Sequence, residues 1–482
     1  MKYFYFKNRN QYMIGFVAVL ILVFFSGMSQ AKEISPEEAI RWGIENNREL
    51  LNIRYSIEDL KRNLEILSAA DSFQVDLSIK PIWHFGDSGK GYSVEMDENR
   101  FAPSTEVNLT ANKVLASDFN LSTQITWESE SLNQDFFDSL VNDINANIKL
   151  DKKLYPDTWT EREKQVYSIE NSLKMKLAEL RWNEMEKQIE FIQNYLNIVR
   201  LQEQVGIARE KVDLAEEELS RVKKQIALGE GGYQQETAAI IALEEAKNQL
   251  FNREQNLVRA KKQWALLLNL PEETIVRFDE DTDFLESLFF RMENVYLDDN
   301  PDDLIEQALS ENYQVKNSEL EKEELLKELQ WTKDAGKPAV NLSGGYNYPG
   351  NHWFVMLDFS VNLADGGAQE LKEKQKEDNI QRKDVSIDYL IKRLGLEAEQ
   401  LVDQDQYNQL LLDTQLLALE KEQNKVEVVE QQYQQGAIGL TQLKNSILTL
   451  KEKELSVKQA QDQWLVDRLK LAHFIGFLQE EL

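Results

Sequence analysis

The chain has 482 residues, of which 42% are hydrophobic and 29% charged, with no cysteine and a formal net charge of −29. The lack of cysteine excludes disulfides, thiolate zinc sites and cysteine nucleophiles. The acidic balance argues against a nucleic-acid partner, because no basic surplus is present to neutralise phosphates. The acidity is expected to come from solvated helix faces, and a salt-rich habitat is the alternative. Gly and Pro number only 20 and 8, which is typical of long helices.

The N-terminal segment, 1–31, is predicted to be a secretory signal peptide. Lys2, Lys7 and Arg9 form a basic start, 13–25 (MIGFVAVLILVFF) is apolar but short for a membrane span, and SQA at 29–31 offers small residues for cleavage. A retained membrane anchor is the alternative. No other apolar run of spanning length follows, so we expect export and any membrane insertion through strands.

Two similar segments predict an internal duplication. PEEAIRWGIENNRELLN (36–52) aligns without gaps with PDDLIEQALSENYQVKN (301–317). Each segment predicts a helix start, because an N-cap residue type (Ser35 or Asn300) precedes a proline and acidic residues fill the first turn.

Between the helical stretches the apolar period changes to two, which predicts six strands. They are FQVDLSIKPIWHF (73–85), EVNLTAN (106–112), FNLSTQITW (119–127), INANIKL (144–150), VNLSGGYNY (340–348) and WFVMLDFSVNL (353–363). Alternating strands with aromatic residues near their ends are typical of a transmembrane β-barrel with an apolar outside and a polar lumen. A soluble sandwich is the alternative. The predicted membrane-interface aromatics are Trp83, Trp127, Tyr346, Tyr348 and Trp353.

Two long helical arms, 157–228 and 368–435, each lead to a glycine turn and a second helix with apolar residues every seven positions. This pattern predicts two antiparallel hairpins, with arms of roughly 100 Å. Trp264 and Trp464 lie in similar segments, AKKQW and AQDQW. Their distances from the preceding glycine turns differ by one heptad. A sharp reversal needs positive φ, which glycine allows. The predicted tip glycines are Gly229, Gly232, Gly436 and Gly439.

The elements divide the chain into two repeats. The predicted boundaries are a signal peptide at 1–31, a first repeat at 32–280, a linker at 281–299 and a second repeat at 300–482. Each repeat contains a helix, then strands (73–153 and 339–363), then a helical hairpin (157–270 and 368–478).

This order resembles the TolC family of outer-membrane efflux proteins (outer-membrane factors) over nearly the whole mature chain. The resemblance rests on the duplicated helix openings, the glycine turns, LADGGAQELKEKQ (363–375) and WLVDRLKLAHFIG (464–476). It implies an α+β homotrimer, in which helical hairpins form a periplasmic α-barrel and strands a shared transmembrane β-barrel. It also implies a passive exit duct in the outer membrane, working with a periplasmic adaptor (membrane fusion) protein and an inner-membrane pump in efflux or type I secretion.

The resemblance implies that the hairpin tips, Leu440 included, contact the adaptor and close the periplasmic entrance. Acidic residues ring the constriction in the family, whereas neutral Gln442, Asn445 and Gln235 stand at those positions here. We therefore expect an amide-lined constriction with less charge selectivity, and Tyr433 packed across it. Solvated helix positions are the alternative.

The number of strands departs from the family, which has four per chain. The extra pair, 106–112 and 119–127, is expected to give a wider barrel. The rival is an extracellular hairpin above an ordinary barrel.

No catalytic, cofactor-binding or metal-binding constellation is recognisable, so no enzyme is expected. His84, His352 and His473 lie far apart in the sequence, and GDSGKGYS (86–93) lacks the spacing of a phosphate loop. The alternatives to an exit duct are a non-conducting periplasmic coiled-coil scaffold anchored in the outer membrane and a surface adhesin. The adhesin needs a passenger domain, for which no residues remain.

Overall fold

The computed structural model describes residues 33–69, 72–84, 102–115, 119–129, 144–230, 232–271, 274–278, 283–293 and 301–478. The predicted signal peptide and the glycine-rich segment at 86–93 lie outside these residues. The elements follow the predicted order of helices, strands and helical hairpin, twice over. In the described part of the chain, none of the helices combines the length and the apolarity needed to cross a bilayer.

Each repeat opens with a short helix followed by a longer helix, and in the first repeat a short strand precedes them. The first has β1 (Glu33–Ile34), α1 (Pro36–Asn46) and α2 (Arg48–Ala69). The Ser35 hydroxyl accepts the Glu38 backbone N–H at 3.1 Å and the Glu38 carboxylate accepts the Ser35 N–H at 3.2 Å, which forms a capping box. The predicted helix start at Ser35 is therefore confirmed.

The second repeat opens with α6 (Pro301–Glu311) and α7 (Tyr313–Ala335). Between the repeats lie β6 (Ile275–Val276), which pairs with β1 in parallel, and α5 (Asp283–Glu293). A helix therefore occupies most of the segment predicted as a linker. It is amphipathic, and it buries Leu285, Leu288 and Met292.

Six strands form one antiparallel sheet. They are β2 (Gln74–His84), β3 (Ala102–Leu115), β4 (Phe119–Ser129), β5 (Ile144–Tyr155), β7 (Ala339–Tyr348) and β8 (His352–Ser360), in the order β2-β3-β4-β5-β7-β8. The sheet joins the two repeats where Asn147 of β5 pairs with Asn347 of β7. All six predicted strands are present.

The two helical hairpins have equal dimensions. The first consists of α3 (Glu161–Ala227) and α4 (Tyr233–Leu267), and the second of α8 (Ala368–Gln434) and α9 (Leu440–Phe474). The first arms have 67 residues each and the second arms 35. All four helix ends of one hairpin therefore correspond to those of the other without an insertion or deletion.

The spacing between equivalent elements of the two repeats changes along the chain. The opening helices begin at Pro36 and Pro301, and the hairpins begin at Glu161 and Ala368. The stretch from Pro36 to Glu161 is thus much longer than the equivalent stretch from Pro301 to Ala368. The longer stretch contains β3 and β4.

The described residues form two compact units, each drawn from both repeats. The first contains the chain up to Arg54, Leu180–Asn312 and Lys392 onward, and the second contains Tyr55–Glu179 and Tyr313–Ile391. The core of the first unit is built largely from α3 and α9, with Phe191, Tyr195 and Leu465 fully buried. The second unit contains the six-stranded sheet.

Candidate functional site: the helix tips and the two-faced sheet

The first hairpin reverses in a Schellman turn at the end of α3. The Glu230 N–H donates to the Gln225 carbonyl at 2.9 Å, across Gly229, whose φ is +81°. This six-to-one hydrogen bond satisfies a carbonyl of the last helical turn and requires a left-handed residue. Gly232 then caps α4 with ordinary extended backbone.

The second hairpin reverses through the same chemistry. The Ala437 N–H donates to the Gln432 carbonyl at 2.8 Å, across Gly436 with a φ of +72°, and Gly439 caps α9. Both turns lie where the glycines predict them. The structure thus explains why two glycines interrupt each long helical pattern: the first ends one helix and the second starts the next.

The side chains predicted to form the entrance lie near the second tip. Tyr433 is in the last turn of α8 and 39% exposed, and Leu440, the first residue of α9, is 47% exposed. Gln442 and Asn445 lie in the first turns of α9 as exposed residues. All four are accessible within a single chain.

Gln235, the predicted partner at the first tip, has a local structural contact. Its Oε1 accepts the backbone N–H of Gly232 at 3.3 Å, which caps the start of α4. Near the second tip, the Asn445 carbonyl accepts the Thr449 hydroxyl at 2.9 Å. These contacts are local, and the single chain does not bring the three predicted amides into one cluster.

The sheet has one apolar face, because the strand register keeps the alternation of all six strands in phase. One row across the sheet runs through residues of every strand: Val75, Ala111, Thr123, Ile148, Tyr346 and Trp353. Large apolar side chains on this face are exposed, including Leu77, Val355 and Phe359. Water is a poor solvent for such a surface, whereas lipid is a good one.

The opposite face is polar. The neighbouring row consists of Asp76, Thr110, Gln124, Asn147, Asn347 and His352. The Asn108 Oδ1 accepts the Thr126 hydroxyl at 2.5 Å, and the Asp151 carboxylate accepts the Ser343 hydroxyl at 2.5 Å and pairs with Lys149 at 2.8 Å. Cross-strand hydrogen bonds of this kind suit a water-lined wall.

Aromatic and basic side chains mark the ends of the apolar face. The rings of Tyr346 and Trp353 lie 4.9 Å apart, and the Lys152 ammonium lies 4.9 Å from the Phe119 ring. Tyr348 is exposed, as predicted for an interface aromatic, whereas Trp127 is only 6% exposed. Trp83 lies in β2, and its side chain is outside the described atoms. Amphipathic residues of these types anchor proteins at membrane surfaces.

No protein-family model matches the chain, and no curated protein matches it by sequence. Solved structures do match. The CusC transmembrane channel is 14% identical, with a TM-score of 0.62 over 91% of this chain and 91% of that chain. The outer membrane protein VceC of Vibrio cholerae is 13% identical, with a TM-score of 0.59 over 92% and 96%. The Neisseria gonorrhoeae MtrE outer membrane channel, solved in its open state, is 11% identical in sequence, with a TM-score of 0.61 over 92% of this chain and 88% of that chain.

The chain has the fold of these outer-membrane channels. The predicted α+β architecture of long helical hairpins and a sheet of strands is confirmed by this match. The similar structures are channel proteins. Among the described residues, no three or more His, Asp or Glu side chains come together as a metal site.

Sequence reasoning missed a ladder of ion pairs within the channel fold. Lysines every seven residues on α9 meet glutamates every seven residues on α3, and the helices run antiparallel. The pairs are Lys444 with Glu217 at 2.5 Å, Lys451 with Glu210 at 2.6 Å and Lys458 with Glu203 at 3.0 Å. The heptad spacing of both charges was the available signal, but it does not show which helix faces which.

Buried charges also pair between helices. Arg200 of α3 binds Asp462 of α9 through two hydrogen bonds, of 2.6 and 3.1 Å. Arg468 of α9 binds Asp405 of α8 at 2.9 Å. Burial raises the pKa of the Asp405 carboxyl, and the neighbouring Arg468 acts in the opposite direction.

His473 lies near the end of α9 and is 7% exposed. The centre of its ring lies 4.1 Å from that of the Trp182 ring, and the two ring planes are tilted by 42°. Burial lowers the pKa of His473 to about 4, because desolvation penalises the imidazolium. The histidine is therefore neutral in the folded protein at physiological pH.

Proposed function

We propose that this chain is the passive outer-membrane exit duct of a tripartite efflux or type I secretion system. Three copies form a homotrimer, whose strands cross the outer membrane and whose helices lie in the periplasm. The observation that carries the proposal is the six-stranded sheet with one apolar and one polar face in continuous register. A water-filled barrel in lipid needs this arrangement. The fold shared with solved outer-membrane channels supports it.

The helical surface supports assembly from several copies. On α8, exposed apolar residues recur every seven positions or multiples of seven, at Tyr389, Leu396, Leu410 and Leu417. Such a heptad seam is the surface through which helices pack side by side. The exposed Phe251 on α4 offers a second apolar surface.

We assign the periplasmic entrance to the two helix tips. Tyr433, Gln442, Asn445 and Gln235 form the constriction in this proposal. The exposed Leu440, with the glycines at 229, 232, 436 and 439, contacts a periplasmic adaptor protein, which in turn binds an inner-membrane pump. The exposure of the tip side chains in the single chain is consistent with this role.

The test is conductance of the purified mature protein in a planar lipid bilayer. We expect discrete steps from a channel that is mostly closed, and longer open times in Gln442→Gly and Asn445→Gly variants. Gln459→Gly, which changes an exposed glutamine farther along α9, serves as the matched control and should leave gating unchanged. A protein that enters membranes but never conducts would instead support a non-conducting coiled-coil scaffold.

A further inference from the structure

The strands β3 and β4 have no counterpart in the second repeat. In the second repeat, β7 and β8 follow α7 directly and lead to α8. In the first repeat, β3 and β4 lie between β2 and β5, within the stretch that makes this repeat longer. Their position in the sheet decides whether they stand apart from the barrel or belong to its wall.

Both strands are integral members of the sheet. β3 pairs with β2 from Ala102 to Asn112 and with β4 from Thr105 to Leu115. β4 pairs with β5 from Asn120 to Trp127. A hairpin that stands above a barrel would leave β2 free to pair with β5, whereas here two full strands separate them.

The inserted strands also keep both faces of the wall. Leu109 and Ile125 lie on the apolar face, in line with Leu77 of β2 and Ala146 of β5. Thr110 and Gln124 lie on the polar face. A shift of one residue in the strand register would have placed the apolar side chains of β3 and β4 on the polar face of the sheet. The register therefore fits β3 and β4 for contact with lipid on one side and water on the other.

The sheet is open at two edges in a single chain, β2 and β8. Open edges do not persist in a hydrocarbon layer, because their backbone groups lack hydrogen-bond partners there. Six strands are fewer than the eight of the smallest bacterial barrels. The strands alternate in direction and are even in number, so β8 of one copy can pair with β2 of the next copy in antiparallel fashion. The partner of each edge is thus another copy of this chain.

We infer that β3 and β4 are wall strands, that three copies close an 18-stranded barrel through β8-to-β2 pairing, and that its lumen passes bulky hydrophilic solutes. The inference rests on the proposed trimeric duct for the number of copies. Barrel diameter grows roughly in proportion to strand number, so a barrel of 18 strands is about 1.5 times as wide as one of 12 strands, and its lumen widens by at least that factor. Barrels of 16–18 strands enclose an aqueous channel. The polar faces of β3 and β4 supply hydroxyl and amide groups to its wall.

The first experiment tests wall membership with single cysteines, for which the cysteine-free chain is an ideal background. Leu121→Cys and Ile125→Cys lie on the apolar face, and the matched Ser122→Cys and Gln124→Cys lie on the polar face. In the reconstituted protein, we expect a lipid-dissolved maleimide to label the first pair and a water-soluble maleimide the second. Reaction of all four with the water-soluble reagent alone would overturn the inference.

The second experiment measures lumen width by polymer exclusion. Deletion of residues 85–129 removes β3 and β4 and leaves β2 antiparallel to β5, with Ile79 level with Ile144. Polyethylene glycols of graded size are added on the side of the strand loops, where entry does not depend on the helix tips. We expect the largest polymer that lowers conductance to be at least about 1.5-fold wider in the full chain than in the deletion variant.

The outcomes separate this inference from the proposed function. Conductance in both proteins with an equal polymer limit overturns the wide barrel but keeps the duct. Absence of conductance in the full chain overturns the duct itself. If the deletion variant fails to assemble, the polymer limit of the full chain and the labelling pattern decide.

Discussion

The two helical hairpins have equal lengths and identical turns, but they bury different side chains. When the long arms are aligned from their first residues, the first arm has Phe191 and Tyr195 where the second has Ala398 and Val402. All four are buried. Helix lengths and turns are fixed by the path of the backbone, whereas side-chain volumes can be exchanged between facing helices if the total volume is kept. The duplication therefore preserved geometry more strictly than composition.

The clearest difference concerns the tryptophans of the second arms. Trp264 is 1% exposed, and its Nε1 donates to the Phe191 carbonyl at 3.0 Å. The equivalent residue in the aligned hairpin is the buried Leu471, whereas Trp464, which the sequence echo would pair with Trp264, is only partly buried. The echo AKKQW and AQDQW is thus one heptad away from the structural equivalence.

The largest expected effect is from Trp264→Ala. We expect it to destabilise the protein by about 3–5 kcal/mol, because it leaves a large cavity and removes a buried hydrogen bond. Trp464→Ala should cost less than half as much. Denaturant unfolding of the two purified variants in detergent measures the difference. Equal losses would contradict the structural register.

The second hairpin should make a pH-dependent contribution to the free energy of unfolding, because it buries His473. The equivalent residue of the first hairpin is Leu266, which has no titratable group and is 80% exposed. The pKa of His473 is about 4 in the folded protein and about 6.5 when unfolded. The unfolded state binds the proton first, so stability is full above pH 6.5 and is lost as the pH falls towards 4. We expect His473 to account for a loss of about 3 kcal/mol over this range.

His473→Leu removes this titration. Thermal unfolding of wild type and variant at pH 7 and pH 4.5 measures the effect, and the difference between the proteins isolates His473 from other groups. His352→Leu, on an exposed histidine, is the control. A variant that loses as much stability on acidification as wild type would refute the assignment.

The two tips should respond equally to substitution. Gly229 and Gly436 have positive φ, and an added Cβ meets no atom within 4 Å at either position. Gly229→Ala and Gly436→Ala should each cost about 1–2 kcal/mol from backbone strain alone. Gly439→Ala, at a φ of −86°, should cost less. An equal loss at Gly439 would show that the left-handed conformation is not the cause.

The smallest effect is expected at the ion-pair ladder between α3 and α9. Lys451→Gln removes one exposed pair, which is worth about 0.2–1 kcal/mol and less at high salt. The exchange Lys451→Glu with Glu210→Lys should restore stability. Unfolding midpoints at low and high salt measure both variants. If the exchange fails to restore stability, these two side chains do not interact as paired charges.

Much of the fold follows from local signals in the sequence. The period of two predicted six strands, Ser35 predicted a helix start, and Gly229 and Gly436 predicted turns, because each depends on residues close in the chain. The α5 helix was not predicted, since its amphipathic pattern is short and lies between charged segments.

The contacts that assemble these elements could not be predicted from local sequence patterns. Arg200 and Asp462 are 262 residues apart, and no local pattern identifies them as partners. Gln442 and Asn445, which we propose to line the entrance, are exposed in the single chain, and their proposed role involves other copies that a single sequence does not describe. Charge spacing reveals which helix surfaces are complementary, but packing decides which ones meet.

The pairing of β5 with β7 has a consequence for the order of folding. Asn147 pairs with Asn347 across a long stretch of intervening chain. Closing this contact therefore costs more entropy than pairing β2 with β3, β3 with β4 or β4 with β5, which are neighbours in the sequence. The strands β2 to β5 can therefore pair with one another before β7 and β8 join the sheet. Until β7 and β8 pair, the apolar face of the first four strands is an exposed surface prone to aggregation, so the second repeat is the part of the chain that completes the sheet.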